Sequence, residues 1–179
     1  MSGEGPRYFG LYRATVVSNL DPLRRGRIMV VATDATGITP TTWAEPCVPM
    51  AGIQQGIYTL PIIGAGVWIQ FENGDPDYPV WIGGWWGSTA EVPALALVGN
   101  PATPSIVLQT TLQNTIVISD VPGPTGGIML KSTTGAFILV NDTGITIQNG
   151  KGAVITLMGP AVNIVGSPVT TNAGALVVT

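Results

Sequence analysis

The sequence predicts an all-β chain: an N-terminal OB-fold barrel followed by an intertwined homo-oligomeric β-helix or β-prism. Three observations carry that expectation. Gly (24 residues) and Pro (15) recur too often among 179 residues for long helices. Short β-branched runs alternate with Gly, Asn, Pro and Thr. Charge is also split, with thirteen charged residues before position 92 and only Asp120, Lys131, Asp142 and Lys151 after it.

In the first module, residues 11–18 and 27–33 flank the turn signal Asn19-Leu20-Asp21-Pro22 and predict a hairpin. Residues 43–50 read as an extended edge broken by Pro46 and Pro49. Residues 56–60, 66–71 and 79–85 follow as strands, the last two joined through Asn73-Gly74-Asp75-Pro76-Asp77. Five or six strands in so short a span suit a small closed barrel, which removes exposed edges. Residues 1–87 are therefore assigned to an OB domain. Residues 88–104, with Pro93, Gly99, Pro101 and Pro104, read as a linker.

In the second module, residues 105–179, runs begin near Ile106, Thr115, Ile128, Ala136, Ile145, Ala153, Val162 and Ala175. Such spacing fits a sandwich or a solenoid-like β-structure. A lone sandwich with four charges would expose apolar faces and strand edges, and it would aggregate. Copies wrapped about a common axis would bury them. The expected core between the copies is Ile128, Leu130, Ile138, Val140, Ile145, Ile147, Ile155, Leu157 and Ile164. Between Ile145 and Ile147, and between Ile155 and Leu157, the alternating Thr146 and Thr156 are expected to face solvent.

Composition excludes several chemistries. There is no His, so there is no Ser-His-Asp triad, Cys-His dyad or imidazole-bound metal. Cys47 stands alone, without a partner for a disulfide or a thiolate zinc site, and reads as a buried small hydrophobe. A net charge of −3 argues against nucleic acid. The N-terminus, with Glu4 and Arg7, does not read as a secretory signal. The uncharged residues 152–179 are too interrupted by Pro160, Pro168 and Asn163 for a membrane helix. Strands of four to six residues are too short for a membrane barrel.

A resemblance follows from ordered motifs: Gly10-Leu11-Tyr12-Arg13, Asp21-Pro22-Leu23-Arg24-Arg25-Gly26-Arg27 and Trp43-Ala44-Glu45-Pro46-Cys47-Val48-Pro49. They continue as Pro61-Ile62-Ile63-Gly64-Ala65-Gly66-Val67-Trp68-Ile69-Gln70-Phe71-Glu72 and Gly74-Asp75-Pro76-Asp77-Tyr78-Pro79-Val80-Trp81-Ile82-Gly83. This stretch resembles the OB domain of phage baseplate assembly protein V and of VgrG spikes in contractile injection systems. The later half resembles the needle that follows that domain.

The resemblance implies a non-enzymatic homotrimeric spike, assembled in the cytoplasm, that caps a tail tube and transiently crosses a target membrane when a sheath contracts. It also implies a separate hub protein at the OB end. At the other end, Ala175, Leu176, Val177, Val178 and Thr179 are candidates for a platform under a PAAR-like tip protein. Seventeen residues between the modules leave no room for an inserted lysozyme domain, and without His no histidine-bound iron tip is expected. No cofactor is called for.

Other candidates read more plainly. Glu72, Asp75 and Asp77 could hold Ca²⁺, but Gly-Asp-Pro-Asp is first of all a solvated turn. Glu45 and Glu72 are the only acids near aromatics, and they make a weak glycosidase pair. Trp68, Trp81, Trp85 and Trp86 could form a stacking platform for sugar or bases, with alternation placing Trp81 and Trp85 on one face. That leaves an OB carbohydrate- or nucleic-acid-binding module as the alternative function. Arg24, Arg25 and Arg27 form the one basic cluster and are candidate baseplate contacts. Asn141-Asp142-Thr143 matches a glycosylation sequon, most simply by chance.

Overall fold

Alternation in Tyr12-Arg-Ala-Thr-Val-Val-Ser18 sends Ala14 and Val16 inward and leaves Arg13 and Thr15 outside, and a barrel grows from both edges of this strand. The computed structural model describes residues 5–99, 101–103 and 105–169. It divides into two compact units, Met1–Thr89 and Ala90–Thr179.

In the first unit, β1 (Tyr12–Ser18) pairs antiparallel with β2 (Met29–Val31), Val17 bulging out of register. The next strand, β3 (Glu45–Pro46), is followed in sequence by a separate two-stranded hairpin of β4 (Ala51–Gly52) and β5 (Gln55–Gly56). On the other edge of β1 lies β6 (Gly66–Phe71), antiparallel, and then β7 (Pro79–Trp85). β3 runs parallel to β7, giving the order β2-β1-β6-β7-β3.

The ends of this sheet meet. Ile28 and Ala44 exchange N–H···O bonds of 3.2 and 2.8 Å, and the Thr41 N–H donates to the Val30 carbonyl at 2.8 Å. This returns β3 to β2 and closes the five strands, as an OB barrel requires. Inside sit Ala14, Val16, Ile28, Val30, Ala32, Ala44, Val67, Ile69, Phe71 and Trp81. Tyr8, Tyr12 and Phe71 close one side with ring centroids 5.7–6.1 Å apart.

Three expectations need correction here. Residues 57–60 are not a strand, because the chain there follows the short β4–β5 hairpin and pairs with no barrel strand. Of residues 43–50, only Glu45–Pro46 enters the sheet, Pro49 having no N–H to extend it. Cys47 is exposed rather than buried, since its backbone serves the sheet edge while its thiol faces out.

A 3₁₀ turn at Thr89–Glu91 spans the boundary between the units in sequence, and a second at Ala94–Leu97 lies within the second unit. Seven strands follow: β8 (Ser105–Gln109), β9 (Thr115–Ser119), β10 (Gly127–Lys131), β11 (Phe137–Asn141), β12 (Gly144–Gln148), β13 (Val154–Met158) and β14 (Ala161–Val165). Each pairs antiparallel with the next, in one meander. Pairing therefore runs within the chain, which is the arrangement of a prism face.

Turns are tied by side chains. The Asn149 carboxamide oxygen accepts from the Lys151 and Ala153 N–H groups at 2.8 and 3.1 Å. Asn141 of the sequon is similarly engaged, accepting from the Thr143 N–H and hydroxyl and donating to the Pro124 carbonyl. The run near Ala175 lies outside the described residues, as do Leu176, Val177, Val178 and Thr179. Among the described residues, no helix is long and apolar enough to cross a membrane.

Candidate functional site

Residues paired directly across a ladder share a face, so the registers sort every side chain of the seven-stranded sheet. One face carries two continuous columns. The first runs Ile106, Ile118, Ile128, Val140, Ile145, Leu157, Val162. The second runs Leu108, Ile116, Leu130, Ile138, Ile147, Ile155, Ile164. No polar residue interrupts either column.

All nine core candidates from the sequence fall in these columns. Ile106, Leu108, Ile116, Ile118 and Val162 were missed, although the same period of two in Ile106-Val-Leu and Ile116-Val-Ile would have found them.

This face is open in the single chain. Thirteen of its fourteen side chains are exposed, from 37% for Ile155 and Leu157 to 62% for Leu108 and Val162, and Ile145 is half-buried. Fully burying an aliphatic side chain is worth about 1.5–3 kcal/mol, so closing half-exposed ones yields on the order of 10 kcal/mol per chain. Monomers rarely leave so large an apolar patch uncovered.

The opposite face differs in chemistry. Its middle column, Val107, Val117, Met129, Leu139, Thr146, Thr156 and Asn163, turns from apolar to polar along the sheet. Thr146 and Thr156 thus lie opposite the aliphatic columns, both half-buried.

The tryptophans of the first unit do not form an open platform. Trp68 pairs with Gly83 but Ile69 pairs with Trp81, so Ile82 is an extra residue in β7. A bulge of one residue exchanges faces. Trp81 accordingly lies in the core at 5% exposure, its indole N–H donating to the Gly26 carbonyl at 3.1 Å. Trp85 lies outside, correcting the expectation that the two share a face. Its ring covers Gly66, where a Cβ would stand 2.5 Å from the indole. The Arg13 guanidinium lies over both outer rings, 5.3 Å from Trp68 and 5.0 Å from Trp85. Only Trp86, at 64%, is largely exposed.

Nor do the three arginines act together. Arg27 is bound to Asp21, Nη2 donating at 2.6 Å and Nε at 3.1 Å, and lies over Trp43 at 5.6 Å. Arg25 pairs with Glu45 at 2.8 Å. Arg24, exposed and with a positive φ of 52°, makes no ion pair among the described residues. In the acidic turn, Asp75 accepts from the Asp77 N–H at 3.1 Å and pairs with Arg7 at 3.4 Å.

Asp21 organises its loop. Besides Arg27, it accepts from the backbone N–H groups of Leu23, Arg25 and Arg27 at 2.9, 2.7 and 3.4 Å. The Arg27 hydrogen bond first, and these N–H groups with it, hold its carboxyl well below the ordinary carboxylate range against the opposing effect of desolvation. The stabilisation is present above the unfolded pKa of about 4 and is lost as pH falls through the lower folded value. Asp21→Asn is therefore expected to lower the thermal midpoint at pH 7. The gap to the parent should hold to about pH 5 and close only in stronger acid. A gap that widens with acidification would contradict the pairing.

Two family models match the chain in succession. Residues 12–86 match the type VI secretion system/phage-baseplate injector OB domain. Residues 105–177 match the phage baseplate V C-terminal trimerisation domain. No curated protein matches it closely enough to count as a relative.

Proposed function

The chain belongs to the phage baseplate V family, and from that membership we propose that three copies close their aliphatic columns on one another into a solid needle. Its family is one of structural baseplate components, here an OB domain joined to a trimerisation domain. The observation that carries the reading is the two-column face, apolar at all fourteen positions and exposed at thirteen. Three such faces turned inward make a dry core. The sheet face that opposes them turns polar at Thr146, Thr156 and Asn163, which suits an outer wall over β12 to β14.

In this reading the needle caps the end of a tail tube and is driven through the target envelope by sheath contraction. A separate hub holds the OB end, with Arg24 the arginine best placed to meet it. Residues 175–179 would carry a PAAR-like tip. Residues 1–87, 88–104 and 105–179 are then the collar, the connection and the needle. No step of this role calls for catalysis.

The test is mass under native conditions together with imaging of the particle. Three times 18.5 kDa is expected for the purified chain, and density for it on the baseplate axis. A stable monomer at micromolar concentration, or a position off that axis, would overturn the reading.

A further inference from the structure

The seven-stranded meander has two lateral edges. One is made by the turns after Gln109, Lys131 and Gln148, the other by the turns after Ser119, Asn141 and Met158. The sequence beyond position 91 holds only four charged residues, and the topology sorts them by sign. Asp120 and Asp142 directly follow β9 and β11, on one edge. Lys131 ends β10 and Lys151 lies in the turn between β12 and β13, both on the other edge. None of the four makes an ion pair among the described residues. A five-residue strand at about 3.4 Å per residue holds the edges roughly 17 Å apart, so neither lysine reaches an acid across its own sheet.

Spacing matches as well as sign. At about 4.8 Å per strand, the two acids lie roughly 10 Å apart along their edge and the two lysines roughly 12 Å apart along theirs. Each lysine stands about one strand further along than the acid it matches in order. The aliphatic columns run across the strands, so a core built from them has the two edges of every sheet at its flanks. In a cyclic assembly each flank meets the unlike flank of the next copy. The match to a trimerisation domain over residues 105–177 supplies those copies. We propose that the acidic edge of each copy lies against the lysine edge of the next, Asp120 with Lys131 and Asp142 with Lys151, at all three seams. A strand tilt of about 16° absorbs the one-strand offset. Exposed ion pairs add little stability. Their effect here is selection, since like edges repel and a slipped sheet loses both pairs. The proposal rests on the trimeric reading.

The chain has only two lysines, which makes carbodiimide coupling of the full-length protein easy to read. Trimers confirmed by native mass are coupled, and the covalent dimers and trimers from a denaturing gel are mapped by peptide mass. Links Lys131–Asp120 and Lys151–Asp142 are expected about ten-fold over the crossed links Lys131–Asp142 and Lys151–Asp120. In parallel, Lys131→Asp should lower trimer yield about five-fold at low salt, and adding Asp120→Lys should restore most of it. Asp142 is left unchanged because it accepts the Gly123 N–H at 2.9 Å and anchors its turn. Intact trimers with crossed links or none would overturn the seam pairing and leave the aliphatic core standing. A double variant no better than Lys131→Asp would overturn it too. Monomers by native mass would overturn the trimeric reading and the seams with it.

Discussion

Ile147→Asp is expected to abolish the trimer. Ile147 sits mid-column between Ile138 and Ile155, so the new carboxylate would enter an all-aliphatic surface with no donor beside it. Burying one unpaired carboxylate costs several kcal/mol, and the three-fold would bring three of them close together. Trimer yield should fall at least ten-fold. Thr146→Asp, one residue away on the opposite face and half-buried beside Leu139 and Thr156, should leave the trimer intact and cost only about 1 kcal/mol. Native mass and thermal midpoints of both variants beside the parent decide it. Equal tolerance would show that the aliphatic columns are not the packed face.

Gly144→Ala is the second large effect. Gly144 has φ 141°, and a Cβ there would run into the Leu157 carbonyl oxygen of the neighbouring strand. Gly127 meets the same obstacle at the Val140 carbonyl oxygen, with φ 92°. Backbone atoms cannot swing aside as a flexible side chain can. Strained φ alone costs about 1–3 kcal/mol, and displacing a ladder adds to it. The thermal midpoint of Gly144→Ala should drop by about 10 °C or more. Gly159→Ala, which meets no atom within 4 Å, gives a comparison with positive φ (55°) but no collision. A drop no larger than that of Gly159→Ala would mean that β12 and β13 are not held so closely.

The trimerisation unit was legible because its code is short-range. Ile-Thr-Ile and Ile-Thr-Leu state both strand and face within three residues, and turn residues mark every end. The seven strands from Ser105 to Val165 follow that code. The barrel was legible in its long strands, β1, β6 and β7, and less so where single residues decide. One inserted residue, Ile82, moved Trp85 to the face opposite Trp81, and no periodicity announces a bulge before the partner strand is known. Cys47 looked apolar among Pro46 and Val48, yet a two-residue strand has no fixed inner face to offer it. The arginine cluster was visible as charge. Which arginine stays unpaired depends on Asp21 and Glu45, and only the folded loop brings those into range.

The meander has a consequence for how the protein is made. Every pairing from β8 to β14 joins neighbours in sequence, so contact order in this unit is low and the hairpins can zip one after another as the chain emerges. Strand formation does not wait for a second molecule. Encounter between copies then becomes the slow, concentration-dependent step, and until it happens each zipped sheet displays its aliphatic face to the cell. Synthesis of neighbouring copies on one message, which keeps nascent chains close, would shorten that exposure. Dilute refolding would lengthen it, and yield should then rise with chain concentration before aggregation overtakes it.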